Sequence, residues 1–536
     1  MGTLPDLGDR TMAKVFDRVL TAEPTKVGQV DDTRSWTFEE LFNRSLQLAG
    51  GLRQLGAQRG QPVLTMLDSH LDAAHLWQGC GLTGLIEVPI NTAYKGTFLS
   101  HIVNDSRAEL AVVDAAYVER LSRVATNLPN LRSVVIRGEG ADESAVAQLH
   151  RRGIRVMPFG ELDASNAVSP VDVGPWELIN YIYTSGTTGR SKGVRVPQAH
   201  AYTYASREDQ GPPTADDRIL VLLPFFHFGG KMYGAYQGLI SRACTVVKPQ
   251  FSLSAFWNQI RENDITFTCV VGAMAQLLWA QPESADDADS PLRAVMMMPL
   301  LPRVDAWAER FGVDVYTGFG MTEAGAVVVA GPNDLTAGMA GLPRQGYEIK
   351  VVDENDIEVP PNVLGELIIR PRDPWTVTDG YVGMPELNAR LWRNGWLHTG
   401  DGFRRDESGR LFFVDRIKDA VRRRGENVSS FEVEEVVNTF EDVAESAVVA
   451  VPSAFTEDEI KVVIVLKPGR KPDPERLIRY LVDRTPYFMV PRYVEFVDEL
   501  PKTPTQKVQK HVLRESGVGP QTWDRESAGV VVNRHS

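Results

Sequence analysis

One stretch limits what this chain can fold into more than any other: Tyr181-Ile-Tyr-Thr-Ser-Gly-Thr-Thr-Gly-Arg-Ser-Lys-Gly193. Its apolar approach, Leu178 to Tyr183, reads as a strand that delivers the chain into a loop of small, hydroxylated and flexible residues. Gly186 and Gly189 let backbone N–H groups turn inward, the arrangement that cradles an anion. Ser185, Thr187 and Thr188 add hydroxyl donors, and Lys192 adds a point charge suited to phosphate. The loop is not a Walker A motif, which ends in Gly-Lys-Ser/Thr, because here Lys192 precedes Gly193. By composition alone it is equally an ordinary turn between a strand and the next element.

The surrounding pattern points to an α/β layer architecture. Thr37-Phe-Glu-Glu40 is a capping-box start for a helix whose apolar positions include Leu41, Leu48 and Leu52. Val63 to Leu67, Leu85 to Pro89 and Leu110 to Val113 read as short buried strands. Ile219 to Tyr233 reads as a buried strand, a glycine-flexed turn around His227 and a helix. With 536 residues, 43% of them hydrophobic, more than one domain is expected. A net charge of −13 argues against nucleic acid as the main partner. Cys80, Cys244 and Cys269 have neither metal nor disulfide-framework spacing, and Met1 to Lys14 lacks the basic start and apolar run of a leader. No apolar run approaches the ~20 residues that cross a bilayer. A cytoplasmic protein is therefore expected.

Four further stretches follow the loop: Tyr316-Thr-Gly-Phe-Gly-Met-Thr-Glu323, Gly395-Trp-Leu-His-Thr-Gly-Asp401, Asp415-Arg-Ile-Lys-Asp419 and Pro501-Lys-Thr-Pro-Thr-Gln-Lys507. In that order, all five resemble the core motifs of the AMP-forming adenylating superfamily: acyl-CoA synthetases, nonribosomal-peptide adenylation domains and luciferases. The likeness runs from about Phe16 to Arg514. It implies a large N-terminal domain of layered α/β subdomains (1–415) and a small mobile C-terminal α+β domain (416–515); the tail (516–536), which lacks periodicity, is expected to be unstructured.

The resemblance also assigns roles. Thr184, Ser185, Gly186, Thr187, Thr188, Gly189 and Lys192 would hold the β- and γ-phosphates of ATP. Phe319 and Gly320 would lie against the adenine, Phe319 standing where the family has a stacking tyrosine. Thr322 would bond the α-phosphate, Glu323 would hold Mg²⁺, and Asp401 and Arg416 would bind the ribose. Lys507 would be the catalytic lysine and Lys418 the hinge about which the small domain swings; the basic stretch from Arg422 to Asn427 would flank the pantetheine of CoA or form a solvated loop. Gln506 stands where the family has glycine.

The substrate pocket is where the chain departs from the family. His227 matches a position between ATP and the acyl pocket, and is equally read as a histidine satisfied by a backbone carbonyl. Lys231 falls where the family is generally apolar; pointing inward it needs an anionic partner, and pointing outward it is an ordinary solvated lysine. Met297 and Met298 replace a glycine and an alanine, which implies either core packing or a filled tunnel and a small substrate. The pattern looks most like the carnitine/crotonobetaine-CoA ligase branch, with ATP, Mg²⁺ and CoA as co-substrates and cofactor. An alternative is a diazotase that activates nitrite for an arylamine acceptor, and a third is a catalytically dead nucleotide-binding scaffold.

Overall fold

The capping box at Thr37 forms. The Thr37 hydroxyl accepts the Glu40 N–H at 3.2 Å, and the Glu40 carboxylate accepts the Thr37 N–H at 2.8 Å. Such a cap is worth ~1 kcal/mol. It starts the helix Phe38–Gln54, whose inward face carries the fully buried Leu41, Leu48 and Leu52. The computed structural model describes residues 3–184, 191–301, 303–416, 420–423, 426–453, 457–501, 508 and 510–532.

Two large sheets follow from the alternation of strands and helices. A seven-stranded sheet runs in the order Arg155–Pro158, Ser133–Arg137, Leu110–Asp114, Pro62–Met66, Ile86–Pro89, Leu178–Thr184 and Lys192–Pro197. Its first six strands are parallel. A nine-stranded sheet has at its centre the parallel strands Asp314–Met321, Ala294–Met298, Phe267–Val271, Arg218–Val221 and Cys244–Val247. Helices cover parallel strands on both faces, so these strands are apolar on both sides instead of alternating. In Ala294–Met298, Met296 packs into one core and Met297 into another. A smaller sheet of Tyr347–Val352, Gly365–Pro371, Leu397–Arg405 and Leu411–Arg416 carries the Trp-Leu-His-Thr-Gly-Asp motif.

The chain divides into two compact units. One comprises Met1–Thr92, Ile102–Tyr183 and Gly193–Asp415; the other comprises Ala93–His101, Thr184–Lys192 and Arg416–Ser536. The second unit draws in two short segments from the first half of the chain, which a boundary at one position does not anticipate. It is mixed α+β: strands Val443–Pro452, Asp458–Leu466, Tyr493–Phe496 and Trp523–Asp524 form one sheet, with helices Ser430–Val437, Pro474–Val482 and Lys510–Glu515.

The expected unstructured tail is corrected here. Trp523–Asp524 pairs antiparallel with Tyr493–Phe496, Arg492 grips the Asp524 carboxylate through two N–H groups at 3.0 Å each, and Arg525 is buried. The segment is too short to show a period, but its strand edge and its charges find partners about thirty residues back. Among the described residues no helix is long and apolar enough to cross a membrane.

Candidate active site

Strand Asp314–Met321 brings Phe319 and Gly320 to the C-terminal edge of the parallel sheet, the edge at which open α/β sheets bind ligands. Phe319 lies edge-on to Phe403, with ring centroids 4.8 Å apart. It is nearly parallel to Phe413, at 6.2 Å and 19°. Phe413 is 43% exposed, unusual for a large aromatic with two ring neighbours. Nothing in the sequence singles it out, because an aromatic inside the run Leu411-Phe-Phe-Val414 looks like core.

Thr322 and Glu323 follow at the turn between Asp314–Met321 and Gly325–Ala330. Glu323 is 7% exposed, and its Oε1 accepts the Tyr381 hydroxyl at 2.8 Å. Its backbone carbonyl accepts the Thr378 N–H at 2.7 Å. Tyr381 is in turn bridged to Val194, on the strand that leaves the glycine loop, and Val382 N donates to Gly193 O at 2.8 Å. The Glu323 carboxylate is thus held in register with the loop's exit strand. Tyr381 is a second residue missed from sequence, since nothing in Asp379-Gly-Tyr-Val382 marks it as more than a turn.

Asp401 is nearly buried on Leu397–Arg405. Its backbone N–H donates to Thr399 Oγ1 at 3.1 Å, and Gly400 N donates to Glu366 Oε1 at 2.9 Å. Gly400 has φ +72°, a conformation other residues avoid. Burial alone would lift the Glu366 carboxyl; the bonds from His398 and Gly400 outweigh it and hold the group below its usual range.

His227 precedes the helical stretch that begins with Phe228–Lys231, its ring 4.7 Å from that of Phe226. Its side chain accepts no backbone N–H to cap that helix. Thr184 ends its strand and Lys192 begins the next, both half-buried. Ser185, Gly186, Thr187, Thr188, Gly189, Lys418 and Lys507 lie outside the described residues, and Arg416 is described for its backbone alone.

Two pocket assignments are corrected. Lys231 points inward and is 1% exposed, but it is not available to a substrate anion because it pairs with Glu87. Glu87 also accepts Thr65 Oγ1 and Asn180 Nδ2, each at 2.8 Å, and Asn180 Oδ1 accepts the Trp77 indole N–H at 2.9 Å. The Lys231 ammonium lies 5.4 Å from the Trp77 ring. This internal network ties the helix after His227 to the strands Ile86–Pro89 and Leu178–Thr184; a buried ammonium is tolerable because its counter-charge is built in.

Met297 is fully buried on the sheet face opposite Met296 and Met298, packed with Val270, Val295 and Trp307. Successive strand residues point to opposite faces, so a single methionine run is split between two cores. Met298 stays on the face shared with Tyr233 and Phe319. The basic stretch after Arg422 is corrected in part too: Arg423 is 1% exposed and paired with Glu459 at 2.7 Å.

The Glu323 Oε2 accepts no hydrogen bond from any described residue. Mg²⁺ takes one or two carboxylates plus phosphate oxygens, so Glu323 fits it. Among the described residues no three His, Cys, Asp or Glu side chains gather into a metal-ligating group.

Comparison with known proteins gives the same picture. The family model described as AMP-binding enzyme matches residues 16–382, and that described as AMP-binding enzyme C-terminal domain matches residues 432–507. A crotonobetaine/carnitine–CoA ligase of Citrobacter koseri is 30% identical over 95% of this chain and 99% of its own length. A fatty acid–[acyl-carrier-protein] ligase of Streptomyces coeruleorubidus is 29% identical over 92% and 94%. Among solved structures, o-succinylbenzoate CoA synthetase from Bacillus subtilis superposes with a TM-score of 0.80 at 22% identity, covering 95% of this chain and 99% of its own. An amide bond synthetase from Marinactinospora thermotolerans does so with a TM-score of 0.79 at 23% identity, covering 94% and 100%.

Proposed function

Because the chain belongs to the AMP-binding enzyme family and is an AMP-forming ligase, we propose that it converts a small carboxylic acid and ATP into an acyl-adenylate and pyrophosphate. It then passes the acyl group to a thiol, CoA in the first place. The observation that carries this reading is the Glu323 carboxylate, tied by Tyr381 in register with the strand that leaves the glycine loop. A carboxylate so placed, with one oxygen open, is the group that would hold Mg²⁺. When bound, that Mg²⁺ supplies charge neutralisation to the phosphates.

The chain's own residues supply position and charge. The adenine stacks on Phe319 beside Phe413, Asp401 accepts from the ribose, and Thr322 donates to the α-phosphate. Arg416 assists at the ribose. Thr184 to Lys192 hold the outer phosphates. Lys507 stabilises the charge that develops on the attacking and bridging oxygens, and Lys418 is the pivot that withdraws it before the thiol attacks. An acyl-carrier protein, as in the name of the Streptomyces coeruleorubidus relative, is the other acceptor this chemistry suits. The nitrite-activating alternative has lost its support: Lys231 is neutralised internally, and Met297 faces away from the pocket side. Cytoplasmic residence fits the thiol co-substrate and three buried, unpaired cysteines.

The test is pyrophosphate release from Mg·ATP across a panel of acids, followed by capture of the acyl group by CoA. Lys507→Ala should lower pyrophosphate release ~100- to 1,000-fold while ATP still binds, because the lysine acts on charge present only in the transition state. Unchanged release by that variant refutes the assignment.

A further inference from the structure

Arg207 is buried, at 4% exposure, and differs from the other buried cations. Arg10, Lys231, Arg344, Arg423, Lys461 and Arg525 each form an ion pair with a carboxylate. Among the described residues no carboxylate pairs with Arg207. Its Nε–H donates to Pro212 O at 2.7 Å, its Nη1 faces the Met296 sulfur at 3.9 Å, and its guanidinium lies 4.9 Å from the Tyr316 ring centre. Its Nη2 donates to no described residue. Asp209, two residues on, is committed to Arg344 through contacts of 2.9 and 2.7 Å. Burial pushes the Arg207 guanidinium down to about 10, and it stays charged at neutral pH. A buried charge with open donors is costly unless something supplies the counter-charge.

Cys269, Met296 and Tyr316 are register partners across three adjacent parallel strands, and Arg207 covers this row. Two residues further along, on the same face, come Met298 and Gly318, one pleat repeat of ~7 Å nearer the ligand edge. The helical stretch after His227 packs its Phe228 and Tyr233 on Tyr204, with ring centroids 4.6 and 5.0 Å apart, and Tyr233 shares a core cluster with Met296 and Met298. An acid entering from the ligand edge and running along this face past Met298 would reach Arg207.

Resting on the adenylation reading above, we propose that Arg207 determines substrate choice by binding a second anionic group, a carboxylate, at the far end of the acid. The acid activated at the ATP end is then a dicarboxylate. A guanidinium presents a two-pronged donor set matched to that group. The same charge rejects acids with a cationic end, so carnitine, with its trimethylammonium, is a poor substrate despite the likeness to carnitine–CoA ligases.

The experiment measures kcat/KM for pyrophosphate release by the full-length protein with three matched sets: α,ω-dicarboxylates of increasing length together with aromatic dicarboxylates, their monocarboxylate isosteres, and carnitine. The best dicarboxylate should exceed its monocarboxylate isostere by ~100-fold or more, since a site built to bond a polar group leaves its own donors unpaired when that group is missing. Arg207→Met should bring the ratio to within a few fold, and Arg207→Lys should keep part of it. A wild-type protein that uses the monocarboxylate as well as its dicarboxylate partner overturns the proposal. So does a folded Arg207→Met with lowered melting temperature and an unchanged ratio, the result of a merely structural arginine. If Arg207→Met does not fold, the wild-type profile and Arg207→Lys decide. If no acid in any set releases pyrophosphate, the adenylation reading itself fails, an outcome distinct from loss of selectivity.

Discussion

Replacing Lys231 by methionine should destabilise the large unit strongly without opening a pocket. The substitution keeps most of the stem's volume, so the cavity contribution is small. It leaves the Glu87 carboxylate, 2% exposed, without its cation. The bonds from Thr65 and Asn180 remain but carry no charge. Breaking a buried pair by removing one partner costs ~3–5 kcal/mol. For a cooperative unit of about 400 residues this amounts to roughly 4–6 °C of melting temperature. Glu87→Gln should cost a similar amount for the mirror reason, an ammonium stranded against Trp77. The double variant should lose less than the two singles together, by ~2 kcal/mol, because no uncompensated charge remains. Urea unfolding of the four proteins, with melting temperatures alongside, completes the cycle. A loss below ~1 kcal/mol for Lys231→Met, or simple additivity, would refute the reasoning and return Lys231 to the surface or to the substrate.

Met297→Gly should cost ~2–5 kcal/mol, as removal of a buried methionine does, and leave the acid-length profile unchanged; a widened profile would place Met297 in the pocket after all. Phe413→Ala should raise the KM for ATP by an amount equivalent to ~1–3 kcal/mol of lost base stacking, with little change in kcat at saturation; an unaltered KM removes Phe413 from the nucleotide site. At the C-terminal strand, the Arg492 guanidinium holds the Asp524 carboxyl down to about 2. The folded value lies below the unfolded ~3.9, so the stability it lends is present above pH ~4 and is lost as pH falls toward 2. Solvent screening near the sheet edge keeps the effect within ~1 kcal/mol. Asp524→Asn should therefore unfold slightly earlier in urea at pH 7 and match the parent protein near pH 2.

Much of this protein was legible in its residues because the signals are local. The Thr37 box and the strand into the glycine loop each depend on neighbours a few positions away, and period and spacing carry them; Phe319, Glu323 and Asp401 were singled out by the likeness of their motifs to a family. Three other features depend on distant partners. Lys231 and Glu87 are 144 positions apart, and only the packing of a helix onto two strands made the lysine structural. Met297 and Met298 are adjacent in sequence, yet the pleat sends them to opposite faces, and which core each joins is settled by what each sheet side packs against. Arg207 looked like one arginine among many until its neighbours were in place. Its meaning lies in a carboxylate that Arg344 had already taken, and a missing partner has no local signature.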